Sequence, residues 1–386
     1  MISYEEALDA LLRLATPTGT EAVDLAQAAG RVLAEPVVAR WDQPPFAAAS
    51  MDGYAMRRAD AHDRARLRVV GESAAGRRYE GTVPAGACIR IFTGAPVPEE
   101  CDLVVIQEDV DRSGETVTLR DPEPGPHIRP KGWDFEKGAR LEPGILTPAR
   151  LAVAAAMGAS QVAVARRPHV AILPTGDELV LAGETPGPDA IVSSNGYGIA
   201  AMLRAAGAIP HLLPPVADDR DALAAAFALT EGADLVLTIG GASVGDHDLV
   251  GEVAGARGLE RSFYRVAMRP GKPLLAGRLA DAAFVGLPGN PVSAIVCTRV
   301  FVLPMLRRML GLAPERPRFL PLAAAVGPNG PRRHFMRAAI TGGTVRVADR
   351  QDSALLSVLA EADALVVRPP NDVQREEGTI VETWPL

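Results

Sequence analysis

The sequence predicts a multidomain α/β protein built around a doubly wound parallel sheet, and three observations lead to that prediction. With 386 residues the chain is too long for one compact core, so we expect several domains. Strand-like and helix-like patterns alternate between residues 168 and 312, which is typical of βαβ units in a parallel sheet. Short β-like runs broken by glycine and proline occupy residues 41–136 and again the end of the chain, which indicates β-rich domains on either side.

The chain is predicted to begin with a helix. Ser3 can cap this helix, and Glu6 follows three residues later, which is the spacing of a capping box. Leu8, Leu11 and Leu12 then repeat with the helical period, so one face of the helix is apolar.

A second helix has start and stop signals at both ends, with Thr147 as cap, Pro148 at the first helical position and Gly158 just past the end. If the two helices pack together, they form one discontinuous linker or helical domain around an inserted β-rich domain. The predicted domains are therefore a discontinuous helical domain (1–40 and 137–165), a β-rich insertion domain (41–136), an α/β domain (166–314) and a C-terminal β-barrel domain (315–386).

The α/β and C-terminal domains differ in their periodicity. In the α/β segment we predict strands and helices in alternation, at Val170–Leu173, Tyr197–Ala206, Asp219–Thr230, Leu235–Ile239, Pro273–Ala276, Ala283–Leu287 and Pro291–Leu310. After it the chain returns to short strands, at Phe319–Ala325, His334–Ile340, Thr344–Val347, Ala364–Val367 and Thr379–Glu382, and a small β barrel is the simplest account of them.

Composition restricts the classes of partner. The formal net charge is −7, so nucleic acid and anionic membranes are unfavourable partners for the surface as a whole, and an anionic ligand needs a local positive site. No apolar stretch approaches the roughly 18 residues of a membrane span, and the first residues lack a secretory pattern. Cys88, Cys101 and Cys297 match neither a disulfide framework nor a zinc pattern, so we expect small buried hydrophobic residues and a cytoplasmic protein.

Ligands of doubly wound sheets bind at the carboxyl ends of the strands. The first loop at such an end is Pro174–Glu178, where a glycine stands between a threonine and two acids. Its backbone N–H groups suit an anion, and its carboxylates suit Mg²⁺. Taken alone, the segment is more often a turn whose acid caps a helix.

The second loop, Gly240–Asp248, has the glycine spacing of a phosphate loop. Asp246 and His247 stand where such a loop requires Lys and Ser or Thr, so a Walker nucleotide hydrolase is excluded. A glycine-rich anion cradle that ends in acids suited to a hard metal remains, with a tight turn before an acidic helix start as the competing interpretation.

The same loop also matches the nucleophile elbow of serine hydrolases, with Ser243 between Gly241 and Gly245. That interpretation needs an acid and then a histidine downstream. His334 is the only histidine after His247, and it lies in the β-rich tail, so a catalytic triad is improbable.

The third loop carries three cations, Arg265, Arg269 and Lys272, beside a Pro-Gly turn in an acidic protein. Prolines restrict the backbone there, and the cations supply charge for an oxyanion. The nearby segment Gly286–Pro291 leads into a helix whose amino terminus adds free N–H groups.

These segments together resemble the molybdopterin molybdenumtransferase family, which includes the C-terminal domain of gephyrin. The most specific elements are Thr-Gly-Asp-Glu, Pro-Gly-Lys-Pro and Pro-Gly-Asn-Pro, in that order. The resemblance covers nearly the whole chain and implies a molybdopterin-binding-like central sheet and an elongated homodimer. The matching segments are Ser50–Tyr54, Arg90–Pro98, Gln107–Glu108, Lys131–Gly138, Thr175–Leu179, Gly240–Asp248, Arg269–Pro273 and Gly286–Ala294.

The resemblance implies a reaction in molybdenum cofactor biosynthesis, in which adenylylated molybdopterin and molybdate give molybdenum cofactor and AMP with the help of Mg²⁺. It implies catalytic roles for Asp52, Thr93, Glu178, Arg265 and Arg269, with Asp52 orienting a metal-bound water or acting as a second metal ligand. The implied Mg²⁺ ligands are Glu178, Asp218 or Asp219, and Asp248. Binding of the pterin substrate or of anions is implied for Thr175, Gly176, Asp177, Gly240, Gly241, Ser243, Gly245, Lys272, Pro288, Asn290, Arg337 and Ser353.

Three other interpretations stay open: a molybdopterin adenylyltransferase, a molybdopterin-binding scaffold with little turnover, and the serine hydrolase. A molybdopterin adenylyltransferase and a recipient molybdoenzyme are possible partners.

The sequence also departs from the family at Arg265 and Arg269, where lysine is frequent. The charge is kept, but a forked guanidinium differs in geometry from an ammonium. His247 is an uncommon neighbour of Asp248, and Asp363 stands where asparagine is expected.

Overall fold

A computed structural model of the chain describes residues 1–120, 125–241 and 249–386. The chain forms two compact units, Met1–Glu21 with Val164–Leu386, and Ala22–Ala163. The unit boundaries fall inside the strands Thr20–Asp24 and Gln161–Ala165. In the second unit the Leu25 amide donates to the Ser160 carbonyl at 2.9 Å, so the two ends of this unit are neighbours.

The first unit contains a six-stranded sheet. Its spatial order is Ile209–Leu212, His169–Pro174, Leu235–Ile239, Ala282–Leu287, Pro273–Leu279 and Glu260–Arg265. The first four strands are parallel to one another, and Pro273–Leu279 is antiparallel to both of its neighbours, Ala282–Leu287 and Glu260–Arg265. The predicted α/β class is confirmed, but Pro273–Leu279 departs from the parallel pattern. Only two residues separate it from Ala282–Leu287, and a connection that short joins antiparallel neighbours.

Alternate residues of the parallel strands face two separate cores. Leu235 and Leu237 lie in the core shared with helices Asn195–Ala205 and Leu303–Met309. Val236 points to the other face, where it packs with residues of the helices Arg220–Ala228 and Leu249–Ala256. Because both faces are covered, the central strands carry near-continuous apolar runs.

The helices of the first unit agree with their predicted signals. Ser3 and Glu6 form both bonds of the capping box at the start of Tyr4–Leu14. The predicted helix from Pro291 consists of an α-helix, a π-helical segment and a second α-helix. The helices of this unit are Tyr4–Leu14, Asn195–Ala205, Arg220–Ala228, Leu249–Ala256, Pro291–Cys297, Thr298–Val302 (π), Leu303–Met309 and Leu356–Ala360.

The predicted C-terminal strands are present and form one sheet. Met268–Arg269, from the cationic loop, pairs in parallel with Arg333–His334 at its edge. A single bridge between Leu322 and Val345 also connects two strands of this segment, and closure into a barrel stays a prediction. The remaining strands follow the order Arg333–Thr341, Ala364–Arg368, Ile380–Pro385 and Arg318–Pro321, with Thr344–Val347 on the other side of Arg333–Thr341.

The second unit is β-rich, as predicted. Its main sheet has the order Leu103–Ile106, Gly53–Met56, Ala87–Ile91, Arg66–Ser73, Thr116–Leu119 and Val110–Ser113. Val32–Leu33 and Gly144–Ile145 pair within a four-stranded sheet that also includes Thr20–Asp24 and Gln161–Ala165. Two further strand pairs are Ala48–Ala49 with Ile128–Arg129, and Val37–Val38 with Arg140–Leu141. Thr147 caps its helix Pro148–Ala156, and Gly158 follows with a positive φ of 94°.

The predicted discontinuous domain depended on packing between the two capped helices. Tyr4–Leu14 belongs to the first unit, where Ala7 and Leu11 are fully buried in its main core. Pro148–Ala156 belongs to the second unit. The division into two units is coarser than the predicted division into four, whose boundaries stay a prediction.

The cysteine prediction is confirmed, since Cys88, Cys101 and Cys297 are all buried and unpaired. Burial raises the pKa of each of these thiols, which keeps them protonated. Within the described ranges, no helix has the length and apolar character needed to cross a membrane.

Candidate functional site

Three loops meet where the parallel strands of the first unit end. Thr175–Glu178 follows His169–Pro174, Gly240 follows Leu235–Ile239, and the turn Pro288–Pro291 follows Ala282–Leu287. Residues of all three loops line one cavity of about 250 Å³. This is the edge at which open α/β sheets bind their ligands. The structure therefore brings together the first two loops selected from the sequence and the segment Gly286–Pro291, whereas the three cations of the third loop do not line this cavity.

Gly240, which Gly241 follows in the chain, lines this cavity, and so does Thr175. Its hydroxyl is buried and has no hydrogen-bond partner among the described residues. Gly240 and Gly241 have φ values of 97° and 63°, and a Cβ on Gly240 would lie 2.4 Å from the Thr175 carbonyl oxygen. We call Thr175, Gly240 and Gly241 the cradle.

Carboxylates form one side of the site. The Asp218 amide donates to Asp177 Oδ1 at 2.9 Å, which places Asp177, Glu178 and Asp218 in one acidic edge. Desolvation and the charges of Asp177 and Glu178 raise the pKa of the Asp218 carboxyl. The like charges of Asp177 and Glu178 repel the ionised Asp218 carboxylate. A cation near these carboxylates would relieve this repulsion.

Asp219 has a different role from its neighbour. Its Oδ1 accepts hydrogen bonds from the amides of Asp221 and Ala222, at 3.0 and 2.9 Å, as the cap of the helix Arg220–Ala228. Of the two ligands that the sequence left as alternatives, the geometry therefore favours Asp218.

The predicted metal site is only partly described. Within residues 1–120, 125–241 and 249–386, no three His, Cys, Asp or Glu side chains are grouped so that they could hold a metal ion. The predicted ligand Asp248 lies outside these ranges, as do Ser243 and Gly245. One or two carboxylates plus substrate phosphates are the usual Mg²⁺ environment, so Glu178 and Asp218 remain suitable ligands.

The turn Pro288–Pro291 contacts the C-terminal segment. Asn290 Nδ2 donates to Ser353 Oγ at 3.1 Å, and the Val292 amide donates to the Ser353 carbonyl at 3.1 Å. Arg337 is 1% exposed, and its guanidinium donates to Gln351 Oε1 and, at 2.7 Å, to the Asp352 carbonyl. Arg337 therefore holds the loop that carries Ser353, which is a different contact from the direct anion binding that was predicted for it.

The cationic loop lies beside the same C-terminal segment. Arg269 pairs with His334 across the strand edge, and Gly271 fits closely against the helix from Pro291, because a Cβ there would lie 2.3 Å from Cys297 Sγ. Burial and the charges of Arg269 and other arginines lower the pKa of His334 to about 4, so this imidazole is neutral. Arg265, Arg269 and Lys272 are all exposed, so their charges are accessible to a ligand.

The second unit contains the other two predicted catalytic residues, Asp52 and Thr93. Asp52 Oδ1 accepts hydrogen bonds from the Thr93 amide at 2.8 Å and from the Thr93 hydroxyl at 2.7 Å. These two bonds and the charge of Arg90 lower the pKa of Asp52, which is therefore ionised at neutral pH. Arg90 donates to the Gly53 carbonyl and to Gln107 Oε1, and so holds the strand that follows Asp52.

Sequence reasoning missed Asn195 in the cavity wall. Its side-chain amide donates to the Gly289 carbonyl at 2.7 Å, and the two residues are 94 positions apart in the chain. The polar run Ser193–Asn195 was the available signal, because it stands before a helix predicted to begin only at Tyr197.

A larger cavity of about 710 Å³ lies near the other ends of the parallel strands. The arginines that line it are occupied, since Arg257 donates to the Ala224 carbonyl and Arg278 donates to the carbonyls of Leu14 and Asp281. The cavity between the three loops, which lies at the carboxyl ends of the parallel strands and is lined by Glu178, is the better candidate for ligand binding.

Fold and site together define a multidomain α/β protein with a cavity between glycine-containing loops at the end of a parallel sheet. Three family models cover the chain: the MoeA N-terminal region (domain I and II) over residues 2–158, a probable molybdopterin binding domain over 171–308, and the MoeA C-terminal region (domain IV) over 320–386. The chain belongs to the molybdopterin molybdenumtransferase family.

Individual relatives agree with this assignment. The chain is 37% identical to molybdopterin molybdenumtransferase 2 of Mycobacterium tuberculosis over 382 residues, which cover 94% of each chain. It is 39% identical to the molybdopterin molybdenumtransferase of a Nostoc species, over 78% of this chain and 72% of the relative. Among solved structures, the molybdopterin biosynthesis MoeA protein of Pyrococcus horikoshii covers 100% of both chains, with a TM-score of 0.87 and 28% identity.

Proposed function

We propose that this protein is a molybdopterin molybdenumtransferase, which inserts molybdate into adenylylated molybdopterin and releases AMP in molybdenum cofactor biosynthesis. The names of relatives that match along almost the whole chain support this activity. The observation in this structure that carries the proposal is the cavity at the strand ends, where the cradle and the acidic edge lie side by side. A pyrophosphate-linked substrate offers phosphate oxygens to both.

The cradle would bind the phosphate part of the substrate. Gly240 and Gly241 would allow the substrate to approach the backbone closely. Gly176 belongs to the same loop and has a φ of 146°, a backbone conformation that favours glycine.

Glu178 and Asp218, with Asp248, are the proposed ligands of Mg²⁺. When bound, this ion neutralises phosphate charge and stabilises the oxygen that leaves as the pyrophosphate is cleaved. Asp177 Oδ1 accepts a hydrogen bond from the Asp218 backbone amide and so keeps these two residues of the acidic edge close together.

The oxyanion would be bound by the exposed cations Arg265, Arg269 and Lys272, with Ser353 beside the turn that contains Pro288 and Asn290. The buried Arg337 supports this group through the Ser353 loop. Asp52 is the proposed catalytic carboxylate: ionised and fixed by Thr93, it can orient the oxygen that attacks the pyrophosphate.

We further propose a homodimer that receives its substrate from a molybdopterin adenylyltransferase and passes the product to a molybdoenzyme. Light scattering after gel filtration tests the oligomeric state, with a mass near twice 40.5 kDa expected. A monomer at micromolar concentration would contradict the dimer.

The function is tested by incubating the purified protein with adenylylated molybdopterin, Mg²⁺ and molybdate, and quantifying AMP by chromatography. We expect AMP release that depends on molybdate, is abolished by Asp52→Ala and is reduced by Arg269→Ala. Absence of AMP release by the parent protein would refute the proposed function, and full activity of Asp52→Ala would refute the role given to that residue. Incubation with molybdopterin and ATP tests the adenylyltransferase alternative, for which we expect no product.

A further inference from the structure

The turn Pro288–Pro291 connects a buried strand to the helix Pro291–Cys297 and lines the cavity at the strand ends. It crosses close to the cradle, since a Cβ on Gly289 would lie 3.6 Å from Gly240 Cα. Its two prolines have no N–H group to donate. The position of the turn therefore depends on what its remaining polar groups bind.

On one side the turn is bound by Asn195. The side-chain amide of Asn195 donates to the Gly289 carbonyl at 2.7 Å. A carbonyl can only accept a hydrogen bond, so the amide nitrogen must face it, and aspartate cannot replace this donor. Asn195 is the first residue of the helix Asn195–Ala205. This helix packs closely against the helix Pro291–Cys297, since a Cβ on Gly198 would lie 3.0 Å from Ile295 Cδ1. The donor is thus carried by a firmly packed element.

On the other side the turn is bound by Ser353. Asn290 does not use its side chain to cap the helix that follows it. Instead, Asn290 Nδ2 donates to Ser353 Oγ, while the Val292 amide donates to the Ser353 carbonyl, both at 3.1 Å. Hydrogen bonds from two separate segments therefore meet on four consecutive residues of one wall.

We propose that Asn195 is a positioning residue of this site: its bond to Gly289, opposed by Ser353, sets the turn Pro288–Pro291 at the spacing from the cradle that the substrate requires. Asn195 acts on the substrate through the turn. Its effect on catalysis rests on the proposed function, whereas its effect on the turn does not. The net contribution of a single hydrogen bond to stability is small, so its loss should loosen the turn without unfolding the protein.

The first experiment uses the full-length protein without ligand and measures amide hydrogen exchange in the peptide 286–297. We expect at least a threefold faster exchange there in Asn195→Ala and in Asn195→Asp. Aspartate has the size of asparagine but faces the Gly289 carbonyl with an acceptor. The control is Arg204→Ala, at an exposed position of the same helix, which should leave this peptide unchanged.

The second experiment measures steady-state AMP release at varied adenylylated molybdopterin. We expect KM to rise about fivefold to tenfold in both Asn195 variants, with kcat within twofold of the parent value, since a misplaced wall weakens binding of substrate and transition state alike. In the double variant Asn195→Ala with Ser353→Ala, the KM increase should be clearly smaller than the product of the two single increases, because both residues hold the same turn.

Unchanged exchange of the peptide 286–297 in Asn195→Ala would overturn the inference, whatever the activity. A loosened turn with unchanged KM, or Asn195→Asp behaving like the parent protein in both assays, would overturn it as well. No AMP release by the parent protein would refute the proposed function and with it the catalytic half of the inference, while the exchange result still decides whether Asn195 holds the turn.

Discussion

Asp218 and Asp219 are adjacent and chemically identical, yet their surroundings give them different roles. The Asp219 carboxylate accepts hydrogen bonds from two backbone amides of the helix that it caps. Asp218 faces Asp177 and Glu178, whose charges disfavour its ionised form. When the Asp218 carboxylate is ionised beside these neighbours and no cation is bound, the repulsion destabilises the folded protein. A bound cation would turn the same carboxylate into a stabilising ligand. Binding and stability are therefore opposed at this residue.

The substitution Asp218→Asn tests this opposition. A carboxyl with a raised pKa weakens the folded state as pH rises above its unfolded pKa, so its neutral replacement should raise the melting temperature in EDTA at pH 7.5. The stabilisation gained on adding millimolar Mg²⁺ should fall at the same time, since it depends on affinity. Differential scanning fluorimetry measures both effects.

Asp219→Asn is the matched control, because it removes the same charge one residue away and asparagine is an equally good helix cap. Mg²⁺ stabilisation should persist in this variant. Loss of Mg²⁺ stabilisation in Asp219→Asn but not in Asp218→Asn would reverse the assignment of the ligand.

At the scale of single elements, sequence reasoning succeeded where the signal is local. Ser3 and Thr147 start helices as predicted, because a cap and its partner lie within three residues of each other. It could not foresee the antiparallel course of Pro273–Leu279, which depends on the tight connection to the next strand. Asn195 was missed because its partner is 94 residues away. Position in three dimensions decides such roles, and no local pattern encodes it.

The cradle gives a prediction at this scale. Gly240→Ala should lower stability by roughly 2–4 kcal/mol, because the residue has a φ of 97° and its new Cβ would lie 2.4 Å from the Thr175 carbonyl oxygen. Chemical denaturation followed by circular dichroism measures the loss. AMP release should fall as well, since the loop must move away from Thr175.

Gly255→Ala is the corresponding control. Gly255 lies in the helix Leu249–Ala256, and a Cβ there would meet nothing within 4 Å. Alanine in a helix should stabilise by about 0.5–1 kcal/mol and leave activity unchanged. A Gly240→Ala variant as stable as the parent protein would contradict the close approach to Thr175.

On the scale of the whole molecule, the two units contribute different chemistry. The first unit contains the cradle, the acidic edge and the exposed cations, whereas the second holds an ionised carboxylate fixed by a threonine. The sequence resemblance selected residues in both, because motif matching does not depend on domain boundaries. Which residue of a motif acts directly and which supports another, as Arg337 supports the Ser353 loop, requires the folded contacts.

The stability of the first unit should depend on pH through His334. This imidazole has a pKa of about 4 in the folded chain against an ordinary value of 6.5, because it is buried among Arg269, Arg337, Arg332 and Arg368. Between pH 6.5 and 4 the unfolded chain binds the proton that the folded chain does not. The free energy of unfolding therefore decreases as the pH is lowered through this range, by about 3 kcal/mol at most.

Calorimetric melting of the parent protein and of His334→Gln from pH 7 to pH 4.5 checks this dependence. The variant should lose less stability over that range, since glutamine does not titrate, although it starts lower at pH 7. Equal pH slopes in the two proteins would show that His334 titrates normally in the folded state.

The neighbouring ends of the second unit have a thermodynamic consequence. Closing a chain segment costs entropy that depends on how far its ends must be brought together. The ends of residues 22–163 are already joined by the bond from Leu25 to Ser160, inside the unit itself. For the chain entropy of the first unit, residues 22–163 therefore act as a short loop, because the distance between their two ends is fixed within the second unit. Insertions or deletions within it can change its length without adding to the closure entropy of the central sheet.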